Sequence, residues 1–112
     1  VNRDVLITAA LWHDYCKIYE YTEPLGNGVW DYSTDNYRNR IGHIAGSVLA
    51  FYQRAEAGCN NIKQPVLDAI AHCILAHHGP VREWGSPVAP QTLEALILHQ
   101  ADMLSAKFGA TK

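Results

Sequence analysis

An all-α fold, a bundle of at least four helices, is what this sequence predicts, and three observations carry it. In four separate segments the apolar residues recur at spacings of three and four, the period of a helix with one buried stripe. Each segment is bounded by cap or stop residues, among them Asn2, Gly58, Pro65, Gly79-Pro80 and Pro90. Between the first and second segments the periodicity lapses over residues 20 to 40, which reads as a long aromatic loop or short hairpin. There is no internal repeat, low-complexity tract or heptad run.

The first helix opens at Asn2, a good N-cap, with Asp4 placed favourably in the first turn. Its expected stripe is Leu6, Ala9, Ala10 and His13. His13, Asp14 and Lys17 then fall near its C-terminal end, Lys17 about one turn beyond His13. The following loop holds the turn formers Pro24, Gly26, Asn27 and Gly28, and an extended piece is expected at Val29-Trp30-Asp31-Tyr32. Tyr19, Tyr21, Trp30, Tyr32 and Tyr37 make it strongly aromatic. Such a loop either packs as a flap over one end of the bundle, the commoner use, or offers a stacking surface to nucleobases.

A second helix is expected from about Gly42 to Ala57, with Ile44, Val48, Phe51 and Tyr52 as its stripe and Gly58 as its stop. Gly42 and Gly46 flank His43 and would let neighbouring backbone approach. The third starts at Gln64-Pro65, where proline suits the first helical position, and buries Val66, Leu67, Ala69, Ile70, Cys73, Ile74 and His77. It stops at His78-Gly79-Pro80. Val81 to Pro90 reads as an ordered, proline-rich loop. The fourth helix then runs from Leu93 to about Phe108, with Ala95, Leu98 and Asp102 on one face.

At 112 residues the chain allows one domain, residues 1–112, with one modest core. A composition 48% hydrophobic and 18% charged excludes a disordered tail or a coiled coil. The net charge of −2 gives no long-range attraction for nucleic acid, so any phosphate binding must be local. Cys16, Cys59 and Cys73 are odd in number and lack metal-knuckle spacing, which suggests reduced thiols in a cytoplasmic protein. No apolar run reaches the roughly 18 residues of a membrane span, and no signal-peptide pattern opens the chain. Six histidines is a high count for this length, and it directs attention to metal chemistry.

The histidines and two aspartates sit where the pattern calls for a buried face. His13-Asp14, His43, His77-His78 and Asp102 each interrupt an apolar stripe. An unpaired buried carboxylate is costly, and no cation is guaranteed beside Asp14 or Asp102 by spacing. Imidazole with carboxylate suits divalent ions such as Mn, Fe, Co, Ni or Zn. One aspartate can bridge two ions, and two ions roughly 3.5 to 4 Å apart can clamp a phosphate and activate water for in-line attack. Taken singly each residue has a plainer use. His43 could be a hydrogen-bonded core histidine, the His77-His78 pair could favour a helix C-terminus, and Lys17 could be a solvated helix-end cation.

In this order, however, His13-Asp14, Gly42-His43, His77-His78-Gly79 and Asp102 resemble the HD-domain superfamily of metal-dependent phosphohydrolases, in its two-metal H…HD…H…HH…D branch. The resemblance covers nearly the whole chain. Leu-Trp-His-Asp-Tyr-Cys-Lys, Ile-Gly-His-Ile, and above all Glu83-Trp84-Gly85-Ser86-Pro87-Val88 with Thr92-Leu93-Glu94-Ala95 look like the HD domain of bacterial 3′-to-5′ exoribonucleases that also carry an OB-fold.

The resemblance implies one metal on Asp14, His43, His77 and His78, and a second on His13, Asp14 and Asp102. Asp14 would bridge them, and one or two divalent ions (Mn, Fe, Co, Ni or Mg) would be the cofactor. Asp14 and Lys17 would be catalytic, with Lys17 steadying a phosphate oxygen; Arg82 and Trp84 are further candidates for contacting substrate. The implied activity is hydrolysis of a phosphodiester in a nucleotide or single-stranded nucleic acid. The family pattern also begins with a histidine on a helix ahead of His13, and the 112 residues contain neither that histidine nor an OB-fold. Two expectations follow: weaker binding at the His13 site, and an apolar groove that a homodimer would cover. The alternative reading is a truncated, catalytically impaired HD domain that serves as an assembly or binding module.

Overall fold

Asn2 begins the first helix as its side chain predicts. Its Oδ1 accepts the backbone N–H of Val5 at 3.1 Å, satisfying one of the donors a helix N-terminus leaves over. The structure, a computed structural model, describes residues 1–22, 26–32, 37–58, 61–79 and 86–110. Helix α1 spans Arg3–Trp12, followed by a 3-10 helix at Tyr15–Tyr19. A one-turn helix α2 (Tyr37–Arg40), then α3 (Gly42–Gly58), α4 (Gln64–Ala76) and α5 (Leu93–Ala110) complete the helices among the described residues. The loop after α1 carries two two-residue strands, β1 (Tyr21–Thr22) and β2 (Asp31–Tyr32), paired antiparallel with Tyr21 opposite Tyr32.

The core forms around α4, which packs against α1, α3 and α5. Its Ile70, Cys73, Ile74 and Ala76 join Val5 and Ala9 of α1, Phe51 of α3, and Ala95 and Leu98 of α5 in one apolar cluster. Two ties fix the ends. The Asn2 backbone N–H donates to Glu94 at 2.8 Å, joining the starts of α1 and α5, and Thr92 Oγ1 caps α5 by accepting from Ala95 N–H at 3.2 Å. Because Ile74 is wholly buried, Ile74→Ala is expected to lower stability by about 2–5 kcal/mol, read as a fall in denaturant midpoint with unchanged slope.

Several sequence expectations need correction. The stripe of α1 is Val5, Ala9 and, partly, Leu6 and Trp12, whereas Ala10 is exposed. Helix α1 packs against both α4 and α5, and Val5 and Ala9 share one core cluster with residues of both. Val66 lies at the exposed start of α4, outside the buried face. The helix that was expected to carry His13, Asp14 and Lys17 breaks in two at Asp14, whose φ of −110° and ψ of 9° lie in the bridge region. Of the aromatic residues in this region, Trp30 is 63% exposed and Tyr19 49%, whereas Tyr37 is partly buried. On the outside, Ile7 and Leu11 of α1 and Leu93, Leu96 and Leu104 of α5 also remain exposed. No helix among the described residues is long and apolar enough to cross a membrane.

Candidate metal centre

Helix ends converge at one point of this fold. His13 is the C-cap of α1, Asp14 precedes the 3-10 helix, His43 lies in the first turn of α3, and His77 is the C-cap of α4 followed by His78. Asp102 joins them from the middle of α5. All six side chains meet in two groups, His43 with His77 and His78, and His13 with Asp14 and Asp102; within each, the possible ligand atoms lie within 4.8 Å of one another.

Asp14 stands between the groups, one oxygen toward each. Its Oδ1 lies 3.6 Å from the Nε2 atoms of both His43 and His77. Its Oδ2 lies 3.3 Å from His13 Nε2 and 3.6 Å from Lys17 Nζ. On the far side, His13 Nε2 is 3.5 Å from Asp102 Oδ1. Although the Asp14 side chain is partly exposed, Oδ1 itself is buried and has no hydrogen-bond partner. A buried, unsatisfied carboxylate oxygen is uncommon enough to require a cause.

Tautomers supply that cause. His13 Nδ1 lies 2.6 Å from the Ala10 carbonyl and His77 Nδ1 2.6 Å from the Ile74 carbonyl. A carbonyl can only accept, so both Nδ1 atoms donate and, in the neutral rings, both Nε2 atoms present lone pairs. His43 Nδ1 is likewise committed, donating to Glu20 Oε2 at 3.2 Å. Its Nε2 therefore faces His77 Nε2 at 3.4 Å, lone pair against lone pair. With the rings neutral, three imidazole lone pairs and two carboxylates, one of them carrying the orphaned oxygen, thus point inward. The donor chemistry of this set fits divalent ions.

Glu20 is the functional residue that the sequence did not reveal. It is 4% exposed, and its Oε2 also accepts the backbone N–H of His43 at 2.6 Å. One carboxylate thereby caps the N-terminus of α3 and fixes the ring of His43 in the orientation a metal ligand needs. Gly42, at φ +77°, makes the turn that brings His43 to it. The only sequence signal was a glutamate set among aromatic residues in an aperiodic loop, which ordinarily means a solvated side chain.

The spare histidines have structural uses. His99 is buried, donates Nδ1–H to the His77 carbonyl at 3.0 Å and lies over Gly79. Any Cβ at Gly79, itself at φ +86°, would strike that ring. His72 Nε2 accepts the Gln91 backbone N–H at 2.9 Å, securing the approach to α5. Gly46 admits the Tyr37 hydroxyl and Cys16 Cβ rather than backbone, correcting the expectation from sequence. Arg82 and Trp84 lie outside the described residues.

The electrostatics differ between the two groups when a proton is the only cation on offer. Burial opposes charge on His13, but the hydrogen bond and charge of Asp14, the Ala10 carbonyl and Asp102 outweigh it and raise its pKa above the ordinary 6.5. Burial dominates at His43 and holds it below 6.5 despite Glu20. Burial would also raise Asp14, yet His13 and Lys17 hold it far below the usual carboxylate range. A metal must displace the proton of His13, so occupancy of the His13 group is expected to fall as pH drops from above 6.5. At the other group burial keeps the His43 imidazole neutral to lower pH, so proton competition with a metal should set in later there. Metal titrations on either side of that pH check the order of loss; simultaneous release would contradict it.

The family model described as HD domain matches residues 1–107. The 3′-5′ exoribonuclease YhaM of Listeria innocua is 37% identical over 106 residues, covering 95% of this chain and 31% of that protein. The YhaM proteins of Bacillus subtilis and Bacillus pumilus are 35% and 36% identical over 107 residues, covering 96% of this chain and 32% of theirs. The chain thus spans about a third of the length of the curated relatives it matches. No solved structure matches it significantly.

Proposed function

This chain belongs to the HD-domain family, and on that premise we propose that it is a metal-dependent phosphohydrolase that cleaves a phosphodiester in single-stranded nucleic acid or a nucleotide. The observation that carries the reading is the inward convergence of the His43 and His77 Nε2 atoms on the orphaned oxygen of Asp14. The relatives' name, 3′-5′ exoribonuclease, supports the nucleic-acid substrate.

In this reading Asp14, His43, His77 and His78 would hold one ion, and His13, Asp14 and Asp102 would hold another. Bound there, divalent ions would supply Lewis acidity and lower the pKa of the attacking water. The protein residues do the rest. Glu20 and the Ala10 and Ile74 carbonyls keep the three imidazoles in the required tautomer. Lys17, 44% exposed at its side chain and 3.6 Å from Asp14, reaches from the protein surface to a phosphoryl oxygen and adds positive charge where negative charge develops. The cavity before it, about 580 Å³ and bordered by Lys17, His43, His78 and Arg38, has room for a phosphodiester with its flanking sugars.

Elemental analysis of the purified chain, paired with hydrolysis of bis(p-nitrophenyl) phosphate in manganese, tests this. Near two ions per chain with turnover is the expected result. One ion or none, without turnover after metal is supplied, would overturn it in favour of a scaffold role.

A further inference from the structure

The 3-10 helix at Tyr15–Tyr19 has two working faces. With three residues per turn, positions 17 and 20 align on one side and 16 and 19 on another. Lys17 and Glu20 serve the metal centre. Cys16 and Tyr19 instead turn into a second cavity of about 500 Å³, completed by Trp12, Tyr15, Tyr37 and α3. That volume is in the range of about 300–1,000 Å³ usual for small-molecule sites.

The cavity is built from aromatic rings on a close-fitted floor. Trp12 and Tyr15 have centroids 5.0 Å apart, and Tyr19 and Tyr37 5.5 Å apart. Tyr15 and Tyr19 remain 45% and 49% exposed, so both pairs leave ring surface uncovered. Below them Tyr37 seats against Gly46, where any Cβ would collide with its hydroxyl. Cys16 is anchored there by its backbone N–H, which donates to the fully buried Ser47 hydroxyl at 3.1 Å. On the rim lie exposed Gln53 and Arg54; among the described residues Arg54 forms no ion pair. Ile41 lines both this cavity and the one in front of Lys17 and His43.

We propose that this aromatic cleft binds a nucleobase of the same single strand whose phosphodiester lies at the metal centre. Half-exposed rings offer π-faces to a base of any sequence, Arg54 offers charge to the adjoining backbone, and the shared lining residue Ile41 sets the two cavities side by side. The proposal rests on the phosphodiesterase reading for the strand's presence. It also explains why a chain of net charge −2 could hold nucleic acid, through stacking at a local site rather than a basic track.

The test compares binding of a fluorescein-labelled six-nucleotide strand with that of its abasic counterpart, both with phosphorothioate linkages to suppress cleavage. The metal-loaded chain is expected to bind the base-bearing strand at least about fivefold more tightly, the scale of one stacked base. Tyr19→Ala should remove the difference, Tyr19→Phe should keep it, and Trp30→Ala, outside the cleft, should leave it unchanged. Photo-cross-linking of a 5-iodouracil strand to the unmutated chain should map to Tyr15, Tyr19 or Tyr37. Equal binding of the two strands, as when the cleft instead takes apolar side chains of a protein, overturns the proposal; so do cross-links confined to Tyr21 or Trp30. Hydrolysis of bis(p-nitrophenyl) phosphate, which has no base, reads the metal centre separately. Turnover with equal binding overturns the cleft alone, and base-dependent binding without turnover overturns only the catalytic reading.

Discussion

Asp14→Ala is expected to empty both metal groups and reduce bis(p-nitrophenyl) phosphate turnover by about 10³-fold or more. The size follows from the several kcal/mol of charge stabilisation that metal ions supply, at 1.36 kcal/mol per decade of rate. It is the largest effect proposed here because the two oxygens of this one carboxylate face the two groups. Oδ1 approaches His43 and His77, and Oδ2 approaches His13 and Lys17. Removing the carboxylate leaves the His43 and His77 rings facing each other without the anion between the two groups, and leaves Asp102 as the one carboxylate beside His13. Asp14→Asn is the sharper companion, since it keeps the volume and removes the charge. Metal content should fall in both variants, and circular dichroism should show the helices retained. Two ions per chain in Asp14→Ala would refute the bridge.

Glu20→Gln should weaken metal at the His43 group by about 10–100-fold while leaving the His13 group close to its original affinity. That range is usual for carboxylates that orient a ligating histidine. The amide can still accept from the His43 backbone N–H, so α3 should keep its start; what disappears is the negative charge that favours Nδ1–H and strengthens Nε2 as a donor. Glu20→Ala goes further, stranding two buried donors, and is expected to destabilise the fold by about 1–3 kcal/mol as well. Calorimetric metal titration separates these outcomes. Equal weakening of both ions in Glu20→Gln would mean that Glu20 acts on the fold rather than through His43.

The contrast between Asp14 and Glu20 shows what was legible in the chain. Asp14 interrupts an apolar pattern next to a histidine, so its place was visible from spacing alone. Glu20 follows the last turn of a short 3-10 helix that periodicity did not foretell, and its burial depends on α3, more than twenty residues away, arriving with Gly42 at positive φ. The break at Asp14 was hidden for a similar reason. A continued helix would have satisfied local propensity, but the 3-10 turn is held by Ser47 of α3, a contact with no local signature.

By itself the sequence determined the four long helices, their caps, and the six polar positions that interrupt their stripes, because helical period and end chemistry are local properties of the chain. The tertiary structure alone decided how those positions meet. The two-sided placement of Asp14, the tautomer of His43 set by Glu20, the structural duties of His72 and His99, and the aromatic cleft beside the 3-10 helix all arise between segments far apart in sequence. Spacing carries the direction in which a side chain leaves its helix, but only packing carries what it finds there.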